Sequence, residues 1–264
     1  MSAVLETERV LLREDAGGVA TLTLNRPRQF NALSEELLGQ MQAALDAIAA
    51  DASVRVVVIR GAGRAFCAGH DLREMRANPS RPYMQELFRK CSKVMMSLVA
   101  LPQPVIARVH GIATAAGCQL VAQCDLAVAS DEARFAVSGI NVGLFCSTPS
   151  VPLARNLGRK QALEMLLTGE FIDAQEARAR GLVNRVVPEQ ELDAELGRLA
   201  ASILAKSPVA VSMGKQMFYR QLEMGLEAAY QYAGEVMACN MMTEDAQGGL
   251  DAFIGKRKPE WKGR

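Results

Sequence analysis

The sequence has very few of the residues on which several kinds of functional site depend. Its 264 residues include two histidines, His70 and His110, and six cysteines that form no CxxC pair. Zinc sites need clustered Cys and His ligands, so the sequence predicts no metal site. Aromatic residues make up 5% of the chain and the formal net charge is +1. Without a basic, aromatic-rich surface, we expect no nucleic-acid partner.

Long apolar runs are missing as well. No segment reaches the ~20 consecutive apolar residues that a membrane span needs. The first residues, MSAVLETERVLLRED, mix acids and bases and do not form the apolar core of a secretory leader. The cysteines are then expected to be buried free thiols in a reducing compartment. Together these absences predict a soluble protein with no membrane partner, located in the cytoplasm.

What the sequence does contain is an alternation of strand and helix patterns. The predicted strands are 19–24, 55–60, 104–110, 126–129 and 134–137. Apolar residues recur at helical spacing after Ser34, which is a good N-cap, and a second helix is predicted from Pro82 to about Ala100. This order of elements favours a layered α/β fold with right-handed crossovers.

Helical periodicity dominates the second half of the chain. We place a boundary near residue 200, which gives an α/β core of residues 1–200 and a helical region of residues 201–264, with a joint at 206–208. The helical region has apolar residues without an obvious core of its own, for example Val209, Met213, Met217 and Phe218.

Two loops rich in glycine and alanine each follow a predicted strand. They are GAGRAFCAGHDL (61–72) and the start of HGIATAAGCQLVAQCD (110–125), which opens a helix. Backbone N–H groups at a helix start lack internal partners, so the two loops together could form an oxyanion hole. Small residues are equally typical of close helix packing, and the pattern leaves both interpretations open. A dinucleotide site is disfavoured, because the third glycine of GxGxxG is replaced by Phe66.

Both loops resemble the two signature regions of the crotonase superfamily, the enoyl-CoA hydratase/isomerase group. Further similar segments follow the same order along the chain: LNRPRQFNALS (24–34), LLTGEFIDAQEARARGLVNRVVP (166–188) and FIGKRKPEW (253–261). The segment NVGLFCSTP (141–149) resembles one subgroup of that family. The resemblance implies a spiral of ββα units with a C-terminal helical region, assembled as a homotrimer or homohexamer.

The same resemblance implies that the substrate is an acyl-CoA or enoyl-CoA thioester. No separate cofactor is expected, because coenzyme A enters as part of the substrate. The thioester oxygen would accept hydrogen bonds from the backbone N–H groups of His70 and Ala116. The implied binding residues are Ala68, Gly69, His70, Asp71, Leu72, Ala116, Ser138, Asn141, Phe253 and Lys256. We expect the His70 imidazole to have no catalytic role and His110 to be a buried, hydrogen-bonded structural residue.

The sequence departs from the family at the two catalytic positions. A hydratase of this family uses two glutamates to add water to the enoyl thioester, and the matching positions here are Gln119 and Gly139. Glutamine can orient a water or a carbonyl, but it cannot take up a proton near neutral pH. We therefore expect a hydratase/isomerase-like acyl-CoA enzyme, a lyase or isomerase that stabilises an enolate-like state, with ordinary hydratase activity in doubt.

Three alternatives for the missing base remain. The first is a recruited anion such as bicarbonate near Ser138 and Gly139, or a water held by Ser138, Asn141 and Gln119. The second is a protein that binds acyl-CoA with little or no turnover, as a carrier or sensor. The third is nucleophilic attack on the thioester by Cys146 or Ser147, which the sequence disfavours because no nearby histidine is evident.

Overall fold

The structure is a computed structural model that describes residues 9–264, so part of the leader prediction for residues 1–15 lies outside the described residues. The strands are β1 (Leu11–Ala16), β2 (Val19–Leu24), β3 (Val56–Gly61), β4 (Val105–Val109), β5 (Ile112–Thr114), β6 (Leu126–Ser130), β7 (Arg134–Ala136), β8 (Ile172–Asp173) and β9 (Arg185–Val187). The helices are α1 (Glu35–Ala49), α2 (Leu72–Ala77), α3 (Arg81–Ala100), α4 (Ala116–Gln123), α5 (Ser147–Asn156), α6 (Arg159–Thr168), α7 (Ala174–Ala179), α8 (Leu192–Leu204), α9 (Pro208–Gln221), α10 (Leu226–Met241) and α11 (Glu244–Ile254).

The strands form two sheets that the chain visits in turn. The larger sheet has the order β1-β2-β3-β4-β6-β9, and all its pairs except β1–β2 are parallel. The smaller sheet has the order β5-β7-β8. Strands β4 and β6 of the large sheet are each followed by a strand of the small sheet and then by a helix. This repetition confirms the predicted spiral of ββα units.

The large sheet is buried on both faces. Along β3, Val57 and Ile59 belong to the main core, which also contains side chains of α1 and α3. Val56 points to the opposite face and packs with Leu192 and Ala200 of α8. Successive residues of a strand point to opposite faces, so a run of β-branched residues suits a strand that is covered on both sides.

Most predicted elements are confirmed, and the exceptions have local causes. The side chain of Ser34 accepts a hydrogen bond from the Leu37 N–H at 3.2 Å and begins α1 as expected. Helix α2 was not predicted. It begins because the Asp71 carboxylate accepts hydrogen bonds from the N–H groups of Arg73 and Glu74, which is the N-cap arrangement.

The helices after residue 207 are attached to the core by polar contacts. The Lys215 ammonium pairs with Asp125 at 2.7 Å and donates to the carbonyl oxygens of Leu98 and Gln103. Tyr219 donates its hydroxyl to the same Asp125 carboxylate at 2.8 Å. These contacts connect α9 to α3, to the segment between α3 and β4, and to the residue that precedes β6. The division near residue 200 stays a prediction, and α8 crosses that position while packing on the sheet.

Five of the six cysteines are buried free thiols, but Cys239 is exposed on α10, so the expectation of complete burial is wrong there. Within residues 9–264, no group of His, Cys, Asp and Glu side chains has an arrangement suited to a metal ion. No helix of the described chain combines the length and the apolar character needed to cross a membrane.

Candidate functional site

The two small-residue loops lie directly against each other. Cys67 and Ala113 form a parallel bridge, and the Thr114 N–H donates to the Cys67 carbonyl at 3.0 Å. A side-chain carbon at Gly117 would overlap that same carbonyl, and one at Gly69 would lie 2.8 Å from the Cβ of Ala115. The glycines are therefore required for close backbone packing, which was one of the two interpretations of the pattern.

The packing leaves two backbone donors free at the contact between the loops. The neighbouring N–H groups of Ala68, Asp71 and Ala115 each donate to a backbone carbonyl, at 3.0 to 3.1 Å. The N–H groups of His70 and Ala116 donate to no acceptor within residues 9–264. Ala115 has φ +50° and ψ −120°, a conformation that L-residues rarely adopt. This strained residue turns the chain so that Ala116 begins α4.

A cavity of about 450 Å³ opens beside these two N–H groups. It is lined by residues from loop 68–75, from α3 and from the segment 138–149: Ala68, His70, Leu72, Met75, Phe88, Ala115, Ala116, Ser138, Gly139, Val142, Gly143, Leu144, Phe145, Cys146, Ser147, Thr148 and Pro149. Within the described chain, no Asp, Glu, Lys or Arg contributes to this lining. Its titratable side chains are those of His70 and Cys146.

His70 has an unusual environment for an imidazole. Its ring packs edge-on against Phe88, with centroids 5.5 Å apart, and neither ring nitrogen has a hydrogen-bond partner in the described chain. Burial lowers the pKa of His70 to about 4, against a smaller opposing effect of the Leu33 backbone. The ring is therefore neutral at physiological pH. His110, in contrast, is buried and donates its Nε2–H to Gly63 O at 2.7 Å, as expected for a buried, hydrogen-bonded residue.

The two positions at which the family resemblance implied catalytic carboxylates differ in their relation to the cavity. Gly139 lines it, and a side-chain carbon there would lie 2.6 Å from the carbonyl oxygen of Leu144 and 2.8 Å from the sulfur of Cys146. Gln119 is buried on α4 outside the lining, and its Oε1 has no hydrogen-bond partner in the described chain. The loop 144–146 therefore excludes any larger residue at 139 in this arrangement.

Three further residues near Gly139 were assigned roles from the sequence. The Ser138 hydroxyl lines the cavity and shares a hydrogen bond with the Thr114 hydroxyl at 2.8 Å. Asn141 is exposed outside the lining, and its amide lies 3.4 Å from Gly169 O. Cys146 lines the cavity, where burial raises the pKa of its thiol. The structure brings His70 to the same cavity as Cys146, although the sequence had suggested no nearby histidine.

Of the remaining predicted binding residues, Ala68 and Leu72 line the cavity, whereas Asp71, Phe253 and Lys256 do not. The Asp71 carboxylate pairs with Arg26 at 2.9 Å and caps α2, so its side chain is part of the framework. Phe253 is 84% exposed at the end of α11, and the exposed Lys256 follows with φ +52°. Thr114, Met75 and Phe88 were missed by sequence reasoning. Only Thr114, a polar residue inside the small-residue run, had a recognisable signal.

The fold and this site identify the protein class. Residues 14–264 match the family described as enoyl-CoA hydratase/isomerase, and solved structures of similar fold are described as enoyl-CoA hydratases. The chain therefore belongs to the enoyl-CoA hydratase/isomerase family, the crotonase superfamily, whose members act on enoyl-CoA thioesters.

Individual relatives are similar over almost their full length. Enoyl-CoA hydratase domain-containing protein 3 of Xenopus laevis is 47% identical over 260 residues, which are 98% of this chain and 88% of that protein. An enoyl-CoA hydratase from Mycobacterium smegmatis is 60% identical with a TM-score of 0.95, covering 96% of this chain and 99% of that one. The human domain-containing protein 3 structure is 47% identical with a TM-score of 0.93, covering 96% and 100%.

These relatives confirm the subgroup that segment 141–149 indicated, and they correct one prediction. The Xenopus laevis protein is mitochondrial, which contradicts the predicted cytoplasmic location. The prediction rested on the expectation of free thiols in a reducing compartment. That expectation does not distinguish one reducing compartment from another.

Proposed function

We propose that this protein binds an acyl-CoA or enoyl-CoA thioester and stabilises an enolate-like state of it. The thioester oxygen accepts hydrogen bonds from the backbone N–H groups of His70 and Ala116, and the acyl group occupies the adjoining cavity. Coenzyme A enters as part of the substrate, so the reaction needs no separate cofactor. In this arrangement the protein acts as a lyase or isomerase of the hydratase type.

The observation that carries the proposal is the pair of free N–H groups beside one cavity. Backbone donors are nearly always paired when buried, so two neighbouring unpaired donors favour a ligand oxygen. Such preorganised donors stabilise negative charge as it develops on a carbonyl oxygen, because they need no reorganisation during the reaction. The strained φ of Ala115 supports the same role, since strain of this kind clusters at functional sites.

The proton-transfer groups distinguish the main proposal from its alternatives. No carboxylate of the described chain lines the cavity, and neutral His70 is a weak base with a pKa of about 4. General acid–base groups typically contribute ~10²–10⁴-fold to a rate. Binding of acyl-CoA with little turnover is therefore the second candidate. The recruited-anion alternative is less favoured, because no cationic side chain of residues 9–264 faces the cavity to hold an anion.

A calorimetric titration tests binding. We expect butyryl-CoA and crotonyl-CoA to bind saturably and NAD not to bind, since the free donors match one thioester oxygen and no dinucleotide motif is present. Saturable NAD binding without any response to the two thioesters would contradict the proposal. The unesterified coenzyme A is the matched control for contacts that do not involve the acyl cavity.

Hydration of crotonyl-CoA tests turnover. We expect a turnover number well below the ordinary range of ~1–10³ per second, because both family carboxylates have no equivalent at the cavity. The same assay with added bicarbonate separates the alternatives: a bicarbonate-dependent rate supports the recruited anion, and binding without any measurable rate supports the carrier or sensor. A turnover number in the ordinary range would show that another acid and base act here.

A further inference from the structure

The lining of the acyl cavity combines two kinds of group. One is the pair of thioester donors, and the other is a set of apolar side chains that form its rim. The rim consists of Leu72, Val142, Leu144 and Phe145, each of which lines the cavity while remaining 44–63% exposed. Large apolar side chains are expected to be buried unless a ligand or partner covers them. An acyl chain that starts at the N–H groups of His70 and Ala116 would lie along this rim.

The cavity offers no cationic partner for a charged acyl group, although Ser138, Ser147 and Thr148 contribute hydroxyl groups to its lining. Its lining contains no Lys or Arg within the described chain, and His70 is neutral at physiological pH. Apart from the N–H groups of His70 and Ala116, which the thioester oxygen would occupy, the feature of this lining that would favour an anion is the start of α5. Few backbone N–H groups in the first turn of α5 are free to bind an anion, because the Ser147 N–H already donates to Phe145 O at 2.7 Å and Pro149 has no N–H. Moving an unpaired carboxylate into such a cavity carries a large desolvation penalty.

We infer that the acyl group is an uncharged hydrocarbon chain, and that this cavity rejects thioesters whose acyl chain ends in a carboxylate. This inference rests on the proposed function, because it concerns the same site. It goes further by naming the rim 142–145 with Leu72 as the surface that selects the acyl group. The selection comes from the absence of a cation and not from chain length.

Hexanoyl-CoA and adipyl-CoA provide a matched pair of probes, since both acyl groups have six carbons and only adipyl ends in a carboxylate. We expect calorimetry to show hexanoyl-CoA binding at least ~100-fold more tightly. Adipyl-CoA binding within about tenfold of hexanoyl-CoA would overturn the inference while leaving the proposed function intact. If neither thioester binds, the proposed function itself fails.

A cation placed on the rim tests the location of the effect. Val142→Arg is suitable because Val142 is 63% exposed, and Met96→Arg is the matched control, since Met96 is 62% exposed on α3 outside the cavity. We expect Val142→Arg to raise the affinity for adipyl-CoA at least ~10-fold relative to that for hexanoyl-CoA, and Met96→Arg to leave this ratio unchanged. Equal gains in both variants, or no gain in Val142→Arg, would contradict the assignment of the acyl chain to this rim.

Discussion

The contact between the two small-residue loops and the C-terminal helices are stabilised in opposite ways. At the loops, Gly69 and Gly117 let backbone approach backbone so closely that there is no space for another carbon. In the helices after residue 207, buried hydrophobic residues are few: of the described chain, Ala229 and Ala252 qualify. Attachment there depends on polar contacts such as Lys215 with Asp125. A closely packed framework at the candidate site and an outer layer with little apolar burial therefore coexist in one chain.

Glycine-to-alanine changes are expected to show the largest difference between the two regions in the free energy of unfolding. Gly117→Ala would force the loops apart, and we expect a loss of ~4 kcal/mol or more in the free energy of unfolding, measured by urea denaturation. Gly214→Ala is the matched change in α9, where nothing lies within 4 Å of the new carbon. It should stabilise the protein by ~0.5–1 kcal/mol through helix propensity. Similar effects at the two positions would contradict the comparison.

Removal of the buried ammonium tests the attachment of α9. Lys215→Met should lower the free energy of unfolding by ~3 kcal/mol, because the Asp125 carboxylate would lose the buried ammonium that pairs with it. Tyr219→Phe removes one hydrogen bond from a neutral donor to the same carboxylate and should cost ~1.5 kcal/mol. A loss for Lys215→Met no greater than that for Tyr219→Phe would show that α9 is held mainly by its apolar contacts.

The C-terminal residues Lys262 and Gly263 are bound by the Asp245 carboxylate, whose contribution to the free energy of unfolding varies with pH. Burial opposes the ionisation of Asp245, but hydrogen bonds from Ser207 and from the N–H groups of Lys262 and Gly263 outweigh it and hold its pKa below the ordinary value. Because the folded pKa is lowered, this stabilisation is complete above the unfolded value of about 3.9 and is lost as the pH falls further.

Asp245→Asn measures this contribution. We expect a loss of ~2 kcal/mol at pH 6, since a charged acceptor makes stronger hydrogen bonds. Urea denaturation at pH 3 should show a smaller difference between the variant and the wild type, because this pH lies below the unfolded-state pKa and part of the stabilisation is then lost. A difference that is independent of pH would mean that Asp245 contributes by its shape alone.

The smallest effect on the isolated chain is expected at the exposed apolar surface of α10. Leu226 and Met242 are 77% and 79% exposed, and surface changes away from special contacts usually stay within ~0.5 kcal/mol. If a trimer or hexamer covers this surface, as the family resemblance predicts, Leu226→Glu with Met242→Glu should lower the mass measured by light scattering towards one 28.5 kDa chain. A wild-type mass of one chain would contradict the predicted assembly.

The amino-acid sequence by itself determined the local elements and the family. Ser34 caps α1, RVVVIR forms a doubly covered strand, and the signature loops have the order of the superfamily. These features depend on residues within a few positions of one another, so periodicity and capping are enough to predict them. Helix α2 was missed, since its start needs only Asp71 as a cap and its six residues are too few for a periodic pattern.

The tertiary structure decided which residues meet at the site. It brings His70 and Cys146 to one cavity and leaves Gln119 outside the lining. The sequence had instead suggested that Gln119 belongs to the site and that no histidine lies near Cys146. It also shows that loop 144–146 fills the space beside Gly139. Contacts of this kind join segments many residues apart, and their geometry follows from how the layers pack. No local pattern of residue types specifies that packing, so the composition of the cavity wall could be known only from the folded chain.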